Sequence, residues 1–82
     1  MNFSEIERGI KKGVLFSECG YGMALLMRAI NDPEISKSES GRQIKWKAKN
    51  EKTGEVVNYL VTEGLEHYGP DIDIVGEAKK ED

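Results

Sequence analysis

The stretch Ile44-Lys45-Trp46-Lys47-Ala48-Lys49, then Glu51-Lys52-Thr53-Gly54, then Glu55-Val56-Val57-Asn58-Tyr59-Leu60-Val61 decides the reading of the fold. Ile44, Trp46 and Ala48 alternate with three lysines, the period of a strand with one dry and one wet side. Gly54 supplies a residue tolerant of positive φ, so the chain turns there and Glu55 to Val61 returns as the partner strand. This alternation puts Trp46 opposite Lys45 and Lys47. The indole is then either core or a ligand wall, and the usual burial of indole rings favours core.

Upstream, Val14-Leu15-Phe16-Ser17 reads as a strand, Cys19-Gly20-Tyr21-Gly22 as a tight turn, and Met23 to Ile30 as the return strand. Ala24, Leu25, Leu26 and Met27 are also good helix formers, so periodicity alone leaves strand and helix open for Met23 to Ile30. Before this hairpin, Ser4-Glu5-Ile6-Glu7 has the form of a capping box, which predicts a helix over residues 5 to 12, stopped by Gly13. Between the hairpins, Asn31 to Gly41 holds Asp32-Pro33 and three serines and reads as a mobile loop.

Downstream, Thr62 to Gly69 reads as a short helical turn capped by Thr62 and ended by Gly69-Pro70. Asp71-Ile72-Asp73-Ile74-Val75 alternates as a last strand, and residues 77 to 82 form a charged tail expected to be disordered. The expected architecture is α+β: one domain over residues 1 to 76, an N-terminal helix packed on an antiparallel sheet of about five strands.

Composition narrows the function. With 82 residues the chain has room for one modest core, so self-association is expected to supplement it. One cysteine, Cys19, and one histidine, His67, give neither a disulfide nor a metal set, and no cofactor is expected. The acidic start lacks the pattern of a secretion signal, and no apolar run approaches the roughly 20 residues of a membrane span, so a cytoplasmic protein without membrane contact is expected. A net charge of −3 argues against a duplex nucleic-acid partner. Arg42, Lys45, Lys47, Lys49 and Lys52 nevertheless cluster in a segment with a single acid, Glu51, a local cationic face suited to phosphate.

Catalysis is not expected. Cys19 in a glycine-containing turn has the outline of a nucleophile with His67 as base, but a lone cysteine is more commonly an inert, buried small hydrophobe. Gly20-Tyr21-Gly22 lacks the Gly-Lys-Ser/Thr that makes a phosphate loop. Lysines flanking Trp46 also suggest a platform for single-stranded nucleic acid, which strand alternation weakens by placing ring and cations on opposite sides. A pocket is the remaining reading: Tyr21 and Gly22 at the glycine turn, Asn58 and Tyr59 on the return strand, and Thr62, His67 and Tyr68 near the short helix. Each has a plainer role available, Thr62 as a helix cap and the tyrosines as core-edge residues.

The order Met1-Asn2-Phe3-Ser4-Glu5, Lys11-Lys12-Gly13, Gly20-Tyr21-Gly22-Met23, Gly54 to Leu60, and Thr62 through Asp71 to Val75 resembles the small phage-encoded sponge domains of the Thoeris anti-defence type, with their anti-CBASS relatives. The chain departs from that pattern at Cys19 to Tyr21, at Tyr59 and at Asp71-Ile72, where the family often carries tryptophan. The resemblance implies a viral homo-oligomer in the host cytoplasm that sequesters a cyclic nucleotide-type immune signal without cleaving it. Tyr21, Gly22, Asn58, Tyr59, Thr62 and Tyr68 would then help line the site, with Arg28 or Arg42 on the phosphates. The rival expectation is a small interaction protein that inhibits a host enzyme by direct contact through its sheet.

Overall fold

A computed structural model describes residues 1–20 and 22–76, without the side chain of His67. Its elements are α1 (Phe3–Gly9), β1 (Leu15–Gly20), β2 (Met23–Ala29), β3 (Glu34–Ser38), β4 (Gly41–Asn50), β5 (Val56–Thr62), a 3₁₀ turn (Glu66–Tyr68) and β6 (Asp71–Gly76). The α+β expectation holds, with an antiparallel sheet of six strands rather than five. The predicted charged tail, 77 to 82, lies outside the described residues.

The helix begins earlier than expected. Asn2, not Ser4, is the cap: its Oδ1 accepts from the Glu5 amide at 2.9 Å while the Glu5 carboxylate accepts from the Asn2 amide at 3.2 Å. This register puts Phe3, Ile6 and Ile10 on the inner side, all at most 2 % exposed. A start at Ser4 would satisfy the same capping chemistry but leave Phe3 outside the helix, where its ring could not be carried onto the sheet. The helix ends at Gly9, and Gly9 lies so close to β6 that an added Cβ would meet Ile74 Cγ1 at 3.2 Å.

Both expected hairpins form. β1 pairs with β2, Phe16 opposite Met27, and β4 pairs with β5, Trp46 opposite Tyr59. Met23–Ala29 is therefore strand, since its pairing with β1 overrides the helix propensity of Ala24 to Met27. The turn between β4 and β5 is tied by Asn50, whose Oδ1 accepts from the Lys52 and Thr53 amides at 2.8 and 3.0 Å, and Gly54 takes φ 79°.

The stretch read as a mobile loop holds the extra strand. β3 pairs with β4 from Glu34 opposite Lys45 to Ser38 opposite Gly41. β5 runs along one edge of β4 from Gln43 to Lys49, so β2 and β3 must share the other edge, end to end. From Ala29 (opposite Ala48) to Glu34 (opposite Lys45) five steps of chain pass three steps of β4, and the surplus is the kink at Asn31 to Pro33. Asn31 repairs the ladder there: its Oδ1 accepts from the Lys47 amide at 3.0 Å, and the Ile30 amide donates to Lys47 O at 2.9 Å.

One face of the sheet meets α1 and forms the core of Phe16, Met27, Ala29, Ile44, Trp46, Ala48, Tyr59, Val61 and Ile72. Its centre is three rings: Trp46 stacks on Tyr59 with centroids 5.1 Å apart, and Phe16 meets both edge-on at 5.9 and 5.3 Å. Trp46 is thus core. Its Nε1 is buried without a hydrogen-bond partner among the described residues, a cost of about 1–3 kcal/mol that ring packing must offset.

Candidate functional site

No layer covers the other face of the sheet among the described residues. It carries Lys45, Lys47 and Lys49 from β4, Val56, Asn58 and Leu60 from β5, and Leu26 and Arg28 from β2, following the alternation read from Ile44 to Lys49. Where β2 gives way to β3, the kink opens a hollow of about 520 Å³ bordered by Asn31, Glu34, Lys45, Lys47, Asn58 and Leu60. Trp46 and Tyr59 also border it while their rings stay in the core. That volume lies within the range of small-molecule sites, though the hollow is open rather than enclosed.

The chemistry of this hollow is cationic and amide-rich. Neither Lys45 nor Lys47 makes an ion pair among the described residues, so both ammonium groups are free to meet an anion. Asn58 offers a carboxamide across from Lys47, and Leu60 an apolar surface across from Lys45. Glu34, across β4 from Leu60, sets one carboxylate at the rim and disfavours a ligand charged all around.

The two arginines expected on phosphate are already engaged. Arg42 Nη2 donates to Glu63 Oε2 at 2.9 Å and Nη1 to Glu7 Oε2 at 3.2 Å, with the guanidinium carbon 4.9 Å from the centre of the Phe3 ring. Arg42 therefore clamps α1 to the end of β5. The hydrogen bond with Arg42 holds the Glu63 carboxyl below the ordinary glutamate range, and the same bond raises Arg42. Arg28 binds Glu51 through Nε and donates through Nη1 to Gly13 O at 2.8 Å, joining β2 to two turns. It borders a different hollow, with Lys49 and Lys52 at the β4–β5 turn.

The remaining expected site residues scatter. Asn58 and Tyr59 sit at the hollow, but the Tyr59 ring is 4 % exposed, and its hydroxyl donates to Glu18 Oε2 at 2.8 Å on the inner face. Burial, with this hydrogen bond, raises the Tyr59 phenol well above its ordinary value. Thr62 caps no helix, since the 3₁₀ turn starts from Leu65 without a side-chain cap; its Oγ1 accepts from Gln43 Nε2 at 3.4 Å. Tyr68 is 80 % exposed on that turn, and Gly22 lies in the β1–β2 turn. Tyr21 and the His67 side chain lie outside the described residues. Cys19 is exposed on β1, not the buried small hydrophobe expected.

Sequence reasoning placed Lys45 and Lys47 on the wet face but missed Asn31 and Glu34. The signal for them was Asp32-Pro33, read as loop punctuation when it marks a kink between two collinear strands. Among the described residues no cluster of His, Cys, Asp and Glu is arranged to hold a metal, and no helix is long and apolar enough to cross a membrane. No family model, curated protein or solved structure matches the chain.

Proposed function

We propose that the protein is a non-catalytic binding protein that captures a phosphate-bearing small molecule of the cyclic nucleotide type in the outer-face hollow. The observation that carries this reading is the pair of unengaged ammonium groups, Lys45 and Lys47, beside the carboxamides of Asn31 and Asn58. Ammonium groups attract phosphate without committing to one geometry, carboxamides offer both donors and acceptors to a base, and Leu60 gives an apolar contact. Capture needs no nucleophile or metal. Together with the resemblance to anti-defence sponges, this makes sequestration of a host immune signal in the host cytoplasm, by a self-associating viral protein, the function proposed.

A thermal-shift screen of the purified protein against cyclic dinucleotides, cyclic trinucleotides and cyclic ADP-ribose isomers tests it. A ligand at a hundredfold excess over its Kd stabilises by about 2.7 kcal/mol, a shift easily read in a small domain. Lys45→Ala with Lys47→Ala should abolish that shift and leave the unliganded melting temperature nearly unchanged. If no nucleotide stabilises the parent protein, direct inhibition of a host protein becomes the better reading, with Leu26, Val56 and Leu60 as its exposed apolar contacts.

A further inference from the structure

Among the described residues three strands, β3, β5 and β6, pair on one side only. Such edges usually carry charge, proline or a bulge, which prevents another chain from adding to them. β3 carries Glu34 and Lys37, and β6 carries Asp71 and Asp73. β5 reads Val56-Val57-Asn58-Tyr59-Leu60-Val61-Thr62: seven residues with neither a charge nor a proline. Val56 and Leu60 are about half exposed, at 51 % and 48 %, on the face without a helix.

We propose that the free edge of β5 pairs antiparallel with β5 of a second copy, joining the two sheets into one. The edge is self-complementary. With the two-fold axis at Tyr59, Val57 stands opposite the second copy's Val61 on the core side, while Asn58 stands opposite Leu60 and Val56 opposite Thr62 on the outer side. Every such pair is uncharged, and two combine β-branched side chains that suit a pleated surface. The same operation is less favourable on β6, where an axis at Asp71, Ile72 or Asp73 sets one carboxylate against another and an axis at Ile74 sets Asp73 against the apolar Val75. β5 also borders the hollow through Asn58 and Leu60, so pairing would place two hollows on either side of the axis, each flanked by its own Lys45 and Lys47. That last consequence rests on the binding reading above; the pairing itself does not.

Multi-angle light scattering and sedimentation of the full chain across micromolar concentrations should show twice the chain mass. Asn58→Glu with Leu60→Glu is the decisive variant. Within one copy each new carboxylate faces a lysine, Lys47 or Lys45, so the fold is supported; across the axis the carboxylates face each other. The variant should keep its circular dichroism and a cooperative melting transition while its mass halves. Val75→Glu on β6, 53 % exposed, should remain a dimer. A parent that is monomeric throughout, a double variant that stays dimeric, or a Val75→Glu protein that becomes monomeric would each overturn the pairing. A parent protein that is monomeric yet responds to a nucleotide leaves the binding reading intact, and a dimeric parent that responds to none does the opposite, so the two fail separately.

Discussion

Along β4 the two faces of one strand live under different rules. Ile44, Trp46 and Ala48 are at most 2 % exposed and locked among Phe16, Met27 and Tyr59, whereas Lys45, Lys47 and Lys49 stand in water between them. The inward set determines whether the domain exists, because a close-packed interior has no room for another shape. The outward set is nearly free of structural duty, so its chemistry is available to a ligand. If the proposed binding reading holds, one strand separates stability from function at single-residue spacing.

The comparison predicts a steep gradient of effects. Trp46→Ala should be the most damaging, at about 3–5 kcal/mol, enough to unfold much of so small a domain, as read by urea denaturation. Trp46→Phe should cost far less, because it keeps a ring against Tyr59 and Phe16 and removes the buried Nε1, which has no partner among the described residues. A loss as large as that of Trp46→Ala would mean that Nε1 has a partner after all. Lys45→Ala and Lys47→Ala should change stability by no more than about 0.5 kcal/mol while removing ligand affinity. If they destabilised the domain like a core change, the division between the two faces would be wrong.

Arg42 gives the smallest and most condition-dependent effect. Its partner Glu63 titrates below the ordinary glutamate range, so the folded state binds that proton less readily than the unfolded chain does. The contribution is therefore present at neutral pH and fades as pH falls through roughly 4 toward the folded value. Both groups are exposed, so the effect should be slight. Melting temperatures across that acid range should fall a little more steeply for the parent than for Arg42→Ala; parallel slopes would remove Arg42 as the clamp between α1 and β5.

What the sequence revealed divides along the same lines. The second hairpin and the last strand were legible because alternation toward a core leaves a period-2 trace, as in Ile44 to Lys49 and Asp71 to Val75, whereas the first hairpin was legible from its glycine turn and not from the apolar run Met23 to Met27. β3 left none: all five of its residues are exposed, so no burial imprinted an alternation on Glu34 to Ser38. The helix start was misread because Asn2-x-x-Glu5 and Ser4-x-x-Glu7 satisfy the same capping chemistry, and only the burial of Phe3 chooses between them. At the site, the cations were visible but their partners were not. Arg42 meets Glu7 and Glu63, and Arg28 meets Glu51, through contacts between residues far apart in the chain.

The kink at Asn31 to Pro33 gives one edge of β4 two tenants with unequal leases. β2 is held on both sides, by β1 and β4, and buries Met27 and Ala29, while among the described residues β3 is held by β4 alone and none of its side chains is buried. Opening of β3 would therefore leave the core intact, and its amides should exchange with deuterium well before those of β2. Glu34 at its start borders the same hollow as Lys45 and Lys47. A ligand seated there would press β3 down, so slower exchange across Glu34 to Ser38 on adding nucleotide would report occupancy without any change of shape elsewhere in the sheet.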